Sequence, residues 1–402
     1  MRRKRLTILL LLPAMAFAHA KAGSVPAAGF TLSPYCPPGF TLEKGVCRMH
    51  NQYTGKASLQ NAGVGGPRSG LPVYRDGFTP QVIDLGRYLF FDPLLSKNGT
   101  LACASCHQPD KGFSDGRARS LGGDGKELPR NAPSLWNTGL QHRLFWDGRA
   151  GSLEQQMLGP LYDSKEMANT PANLRNSLNA QSEYRRLFAE AFPGSGKDIR
   201  LEQVYTALAA FQSSLVSLNS RYDLYAGGFH DALSTNEIEG MNVFRSFVAR
   251  CAECHTPPLF SNQQIAVIGM PQPEGRAFDA GAQAISGEAT QRGGFKVPSL
   301  RNVAKTAPYS HSGRFGNLHD TVEFYTLGRG HAVPKQEKLT LHWHIWEPRL
   351  SSLEINRLVD FLGALTDESF KPAVPRKVPS GLEPMPLPAI GNFNKPLTKE
   401  TP

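Results

Sequence analysis

The sequence predicts a mostly α-helical fold built as two tandem copies of one unit, with short β elements and long loops. Three observations carry that expectation. Apolar residues recur at helical spacing in PQVIDLGRYLFFD, TNEIEGMNVFRSFVAR and SSLEINRLVDFLGALT. A Cys-x-x-Cys-His string occurs twice, as CASCH (Cys103, Cys106, His107) and CAECH (Cys251, Cys254, His255). Finally, Pro133-Ser-Leu-Trp-Asn137 and Trp146-Asp-Gly-Arg-Ala-Gly-Ser-Leu153 return 165 residues later as Pro298-Ser-Leu-Arg-Asn302 and His311-Ser-Gly-Arg-Phe-Gly-Asn-Leu318. The order is kept while the Cys motifs themselves are 148 residues apart, so the intervening loop differs in length between two copies of one unit.

Residues 1–20 open with Arg2, Arg3, Lys4 and Arg5, continue through an apolar stretch from Leu6 to Phe17, and end with small residues at Ala16, Ala18 and Ala20. This is the pattern of a secretory signal peptide and is set aside from the fold. No later run reaches the ~18 apolar residues of a spanning helix, so the expectation is a soluble protein exported to a bacterial periplasm. Without the signal the net charge falls from +10 to about +6. With no basic cluster left, that charge speaks against nucleic acid and for at most a mildly acidic partner. The remaining length exceeds what one small core organises, which suits two domains.

Residues 21–74 are read as an N-terminal arm. Cys36 and Cys47 bracket CPPGFTLEKGVC, and in an oxidising compartment this pair is expected to form a disulfide worth roughly 3 kcal/mol. The two units follow at 75–233 and 234–370. Each opens with an amphipathic helix carrying Gly, a branched aliphatic and Phe (Gly86, Leu89, Phe90; Gly240, Val243, Phe244) just before its Cys motif.

A Cys-x-x-Cys-His string is the attachment signature of c-type haem. Two thiols three residues apart add to the two vinyl groups of one porphyrin, and the adjacent imidazole becomes the proximal ligand of the iron. A redox dithiol explains one such string but not two. A zinc site would need both cysteine pairs to converge, and leaves the matched placement of His107 and His255 unexplained. The units are therefore expected to be tandem cytochrome c-like domains, each holding one covalent haem.

Past each GR element a polar residue, Ser152 or Asn317, is placed to cap a further helix. The first of these helices presents Gln156 and Pro160. The second presents Tyr325 where the repeat places Pro160. Alone, the ring of Tyr325 in NLHDTVEFYTLG reads as core; in this register it is a candidate axial ligand of the second iron. The second unit closes with a helix whose Leu353, Ile355, Leu358, Phe361, Leu362 and Leu365 form an apolar stripe, read as core. Residues 371–402, rich in Pro and Lys, are expected to run extended over the surface.

From Thr79 to Phe370 the chain resembles the bacterial di-haem cytochrome c peroxidase superfamily, and within it the MauG-type branch. The resemblance rests on both Cys motifs, RNAPSLWN, FWDGRAGSLEQQMLGP, KEM, FKVPSLRNVAKTAPYSHSGR and the helix ending in Tyr325. It implies that His107 holds the peroxide-reacting haem, with Gln156 and Glu166 as the distal polar pair and Pro160 as the pocket wall. Peroxide chemistry asks for such a pair, since one proton must leave one oxygen and arrive at the other. Trp146 matches the residue that passes electrons between the haems. Asn131, Thr306 and Pro308 match positions that hold a calcium ion through oxygen atoms. His311 matches a position beside the second haem that partners a propionate or water.

Two departures select the branch. Typical di-haem peroxidases carry a His in the loop before the RN element that blocks the first haem until the second is reduced; here SLGGDGKELPRN has none. They also carry Met where this chain has Tyr325. Thioether sulfur favours Fe(II), whereas phenolate, a hard anion, favours the higher oxidation states. The resemblance therefore implies an oxidase that uses hydrogen peroxide to reach a high-valent di-haem state and draws electrons from an aromatic residue, Trp first, of a partner protein. In that branch a Trp six residues before the second motif's His relays electrons between the second haem and the partner, and here that place is Ala249. Trp343 and Trp346 are alternative exits that also read as packing residues, and His342 and His344 are left unassigned. Two competitors stand beside this reading: a peroxidase fed by a soluble cytochrome or copper protein, which keeps Gln156 and Glu166 but wants Met, and an electron-transfer cytochrome, which wants both irons filled by protein ligands.

Overall fold

The computed structural model describes residues 29–53, 70–327, 330–343 and 348–385. The signal at 1–20, His344, Trp346 and the chain after Met385 lie outside them. Among the described residues the protein is mostly helical, with two short antiparallel ribbons. The elements in chain order are β1 (Phe40–Glu43), β2 (Val46–Met49), α1 (Pro80–Phe91), α2 (Cys103–Cys106), α3 (Leu153–Tyr162), α4 (Pro171–Ala180), α5 (Ser182–Ala191), α6 (Leu201–Ser213) and α7 (Arg221–Ala226). They continue as α8 (Thr235–Phe244), α9 (Cys251–Cys254), β3 (Ile265–Val267), α10 (Gln283–Ser286), β4 (Gly294–Lys296), α11 (Leu318–Phe324) and α12 (Ser352–Gly363).

The helices start where local chemistry tells them to. Thr79 caps α1 by accepting from the Val82 amide, and Pro80 supplies a pre-set φ at the first helical position. Ser234 with Glu237 and Ser351 with Glu354 form reciprocal capping boxes at α8 and α12. The expected caps Ser152 and Asn317 accept from the amides of Gln155 and Asp320.

Helix α1 packs on α6, and α8 packs on α12, through matching glycines. A Cβ on Gly86 would lie 1.9 Å from the Ala207 carbonyl oxygen, and one on Gly240 would lie 1.8 Å from that of Arg357. Backbone thus meets backbone at the crossing of each pair, and the apolar residues around it close two cores. One gathers Leu85, Leu89, Phe90, Phe113, Trp136 and Phe211; the other gathers Phe244, Phe260, Leu358, Phe361 and Leu365. The 165-residue repeat reappears in the backbone. Left-handed φ values recur at Asn137 (62°) and Asn302 (58°), at Phe145 (66°) and Ser310 (75°), and at Gly148 (71°) and Gly313 (64°). The bridge between Leu144 and Ala150 returns as that between Tyr309 and Phe315.

Cys36 and Cys47 are joined by a disulfide that fastens the β1–β2 hairpin to its lead-in. The apolar stripe of α12 differs from expectation at one place: Ile355, Leu358, Phe361 and Leu362 are buried, as is Leu365 just beyond, but Leu353 is 58% exposed. It sits in the first turn, before the helix reaches its partner. The segment after 370 has no helix among its described residues, yet it does more than lie on the surface. Val378 is wholly buried in the N-terminal core, Ser380 Oγ donates to Asp92, and the Met385 amide donates to the Phe91 carbonyl. No helix among the described residues is long and apolar enough to cross a membrane.

Candidate active site

The two Cys motifs fold alike. Each pair of cysteines spans a single helical turn, α2 or α9, so both thiols project from one short segment with the histidine immediately after it. His107 Nδ1 lies 2.8 Å from the Phe113 carbonyl oxygen, and His255 Nδ1 lies 3.1 Å from that of Phe260. Both phenylalanines are left-handed, with φ of 60° and 54°. Each carbonyl accepts a hydrogen bond from Nδ1–H, which leaves the Nε2 lone pair of the imidazole to face a metal. Burial holds both imidazoles below the usual histidine range, hence neutral. Burial likewise pushes the Cys103 and Cys251 thiols up to about 12.

In the C-terminal half the motif opens on a cavity of about 280 Å³ lined by Cys251, Cys254, His255 and Tyr325, with apolar walls that include Ile268, Met270 and Leu358. Tyr325 follows α11 directly. Burial, then the nearness of Cys251 and Cys254, raises its phenol well above the ordinary value. Two thiols, a neutral imidazole with a free Nε2 and a buried phenol around one apolar cavity are a donor set that fits a covalently held haem.

The same cavity reaches towards the N-terminal half, where it meets Trp146, Asn131, Thr306, Pro308 and His311. Trp146 Nε1 donates to the Asn131 carbonyl at 2.9 Å, and the Trp146 carbonyl accepts from the Lys296 amide at 2.7 Å. His311 stacks on Phe295 with 3.7 Å between ring centroids, lies 6.4 Å from the Trp146 ring, and its Nε2 is 2.6 Å from Gln272 Nε2. Burial lowers its pKa to about 4, so it is neutral. Asn131 donates its amide to the Arg117 carbonyl, and Thr306 donates to that of Val303. All three residues expected to hold calcium line the cavity.

In the N-terminal half, Gln156 and Pro160 are half-buried on α3, and Glu166 is half-buried in the turn after it. Glu166 lies close enough to Cys106 to raise that thiol further. Burial, with Asp163 adding and Arg149 opposing, lifts the Glu166 carboxyl above the usual range. The His-free loop explains how Glu166 is held. A Cβ on Gly122 would lie 1.9 Å from the Lys165 carbonyl oxygen, and one on Gly123 would lie 2.8 Å from that of Glu166. The Gly123 amide donates to the Glu166 carbonyl at 3.1 Å. Met157 and Met167, the nearby sulfur atoms, pack in the core.

Residues 80–231 match the family described as di-haem cytochrome c peroxidase. The chain is 36% identical over 255 residues to cytochrome c551 peroxidase of Nitrosomonas europaea, covering 62% of this chain and 75% of that protein. It is 34% identical over 290 residues to the methylamine utilization protein MauG of Methylorubrum extorquens, covering 72% and 79%. Among solved structures it superposes on a MauG-like protein associated with microbial copper homeostasis, with TM-score 0.69, 32% identity, and coverage of 76% of this chain and 95% of that one. This chain belongs to the di-haem cytochrome c peroxidase family. As a member it is a peroxide-dependent haem oxidoreductase with two c-type haems.

Several groups at this di-haem peroxidase's centre escape motif reading. Lys296 lines the cavity, reaches Gln141 Oε1, and is pulled down to about 8 by burial. Arg130 bonds Asp147 at 2.6 Å and Asp279 at 2.7 and 2.9 Å, tying the two halves beside Phe295. Both lie within quoted motifs, just ahead of the repeated PSL element, but residue type alone gave neither a role. His342 and Trp343 lie outside the wall of this cavity, Trp343 stacking on Arg250 next to Cys251.

Proposed function

We propose that this chain is a periplasmic oxidase of the MauG type, made of two tandem cytochrome c-like domains at 75–233 and 234–370, that spends hydrogen peroxide to oxidise an aromatic side chain, Trp first, of a partner protein. The observation that supports it above others is Tyr325: it shares a cavity with Cys251, Cys254 and His255, where the peroxidase alternative needs a soft sulfur ligand. When bound, the haems supply the redox chemistry that accepts the oxidising equivalents of peroxide.

The chain's own residues do the rest. His107 and His255 present Nε2 because Phe113 and Phe260 hold Nδ1–H. Glu166, with its raised pKa, takes a proton from one peroxide oxygen and returns it to the other, while the Gln156 amide orients the molecule against Pro160. Trp146, fixed by Asn131, is the electron path between the halves. Tyr325, as phenolate, gives the second iron a hard anionic partner that stabilises loss of electrons there. Asn131, Thr306 and Pro308 would hold a calcium ion at the junction, and His311 a propionate or water. The loop Gly122–Gly123 leaves the first pocket open without prior reduction.

The test is one equivalent of peroxide added to the ferric holoprotein and followed by Mössbauer spectroscopy, with Tyr325→Phe alongside. Both irons should move beyond ferric in the wild type, and the C-terminal one should fail to do so in the variant. One oxidised iron, beside a second haem that cycles and turns over a reduced cytochrome, would instead establish the peroxidase alternative suggested by the relative from Nitrosomonas europaea.

A further inference from the structure

We propose that Trp343 is the residue through which electrons from the partner protein enter the C-terminal site, a step that rests on the oxidase reading above. Ala249 lines the cavity, but its methyl group cannot carry charge. The aromatic group that stands next to the second Cys motif comes from a different segment. Arg250, the residue before Cys251, has its guanidinium carbon 5.3 Å from the centre of the Trp343 ring and 4.8 Å from that of Phe247. The indole therefore rests on the residue adjoining a porphyrin-attaching thiol.

The segment is anchored as well as adjacent. The His342 amide donates to the Val267 carbonyl at 2.8 Å, pinning this stretch to β3, and Ala266 of β3 lines the same cavity. Trp343 is 67% exposed and shares its surface with Phe247 (77%) and Val248 (52%), so a partner can touch it. Single exposed rings are ordinary; an exposed indole stacked on the neighbour of a haem thiol is a conductor's position. A bare cation beside the ring would oppose loss of an electron from it. Glu253 Oε1 lies 2.7 Å from Arg250 Nε and neutralises that charge. Among the described tryptophans, Trp136 is buried in the N-terminal core and Trp146 is half-buried between the halves, so Trp343 is the exposed one of the three.

Electrons pass singly. Trp343 gives one electron inward, keeping its indole proton, and regains one from the partner's aromatic side chain. Two passes remove two electrons and two protons from the partner, and these complete the reduction of hydrogen peroxide to two waters. No bond to Trp343 is made or broken in a productive turnover.

With no partner present, the oxidising equivalent should strand on Trp343 and mark it. The experiment adds one equivalent of peroxide to holoprotein alone, maps added oxygen by peptide mass spectrometry, and times the decay of the oxidised state by absorbance. Expected are oxygen addition on the Trp343 peptide and not on that of Trp136, and a several-fold slower decay in Trp343→Phe with unchanged ferric spectrum and peroxide uptake. Phe247→Ala, which strips the other ring from Arg250 without removing an oxidisable group, should decay as the wild type does. An unmodified Trp343 with wild-type decay in Trp343→Phe overturns the proposal, as does equal slowing in Phe247→Ala. If the wild type itself never holds both equivalents, the oxidase reading has failed first and the entry role falls with it.

Discussion

Glu166 shows how single residues at this site take their character from neighbours. Burial beside Asp163 raises its carboxyl, placing the proton exchange nearer neutral pH than an exposed glutamate would. As the base proposed above it would work deprotonated, so the rate of the peroxide reaction should climb as pH rises through this elevated pKa. Glu166→Gln should flatten that profile and lower the stopped-flow rate by roughly 10²–10⁴-fold. Cysteine spacing pointed to the candidate attachment residues, and the repeat register to Tyr325 as a candidate ligand whose place beside Cys251, Cys254 and His255 the fold then displays. The carbonyls of Phe113 and Phe260 that orient the imidazoles were hidden, because a left-handed phenylalanine is a property of the folded loop and not of the residue type. Lys296 was hidden for a related reason: only burial makes a lysine in a short strand unusual.

At the scale of elements, the helix pairs α1/α6 and α8/α12 depend on the absence of one carbon atom each. Ala favours an exposed helix over Gly by ~1 kcal/mol. Here the sign reverses, since a Cβ at Gly86 or Gly240 would strike a carbonyl oxygen that belongs to the partner helix. Gly86→Ala and Gly240→Ala should each cost about 1–3 kcal/mol in denaturant unfolding of the holoprotein. The positions stood out in the sequence as matched glycines within apolar helices, which gave the repeat but not its purpose. Helix α12 shows the opposite gap. Periodicity marked six apolar residues, and the structure leaves Leu353 in solvent because a hydrophobic pattern does not say where along a helix its partner begins.

Across the whole molecule, the N-terminal arm reaches a buried ion pair that joins the first unit to the second. Arg301, which replaces Trp136 of the first copy, bonds Asp223 through both terminal nitrogens and donates from Nε to the Pro258 carbonyl at 2.8 Å; Tyr53 of the arm donates to the same Asp223. Burial alone would raise the Asp223 carboxyl, but Arg301, Tyr53 and Ser220 outweigh it and hold it low. A carboxyl held below its unfolded value contributes stability that is present above about pH 4 and lost as pH falls through the folded pKa. Asp223→Ala strands a buried guanidinium and should cost about 3–5 kcal/mol in thermal or chemical unfolding, while also shrinking the loss of stability on acidification. None of this was legible beforehand: one Arg in a repeated PSL-x-N string carries no sign of a partner 78 residues away. Val378 was equally silent, since a lone Val among prolines has no periodicity to place it indoors.

The contact of Gly122 and Gly123 with the carbonyls of Lys165 and Glu166 reaches beyond that loop. A gate needs room to swing and a side chain to swing in; at Gly122 and Gly123 the backbone lies too near its neighbours for even one added carbon, and the loop carries no imidazole. In the oxidase proposed above no internal gate would need opening first, and the tempo of turnover would follow the arrival of oxidant.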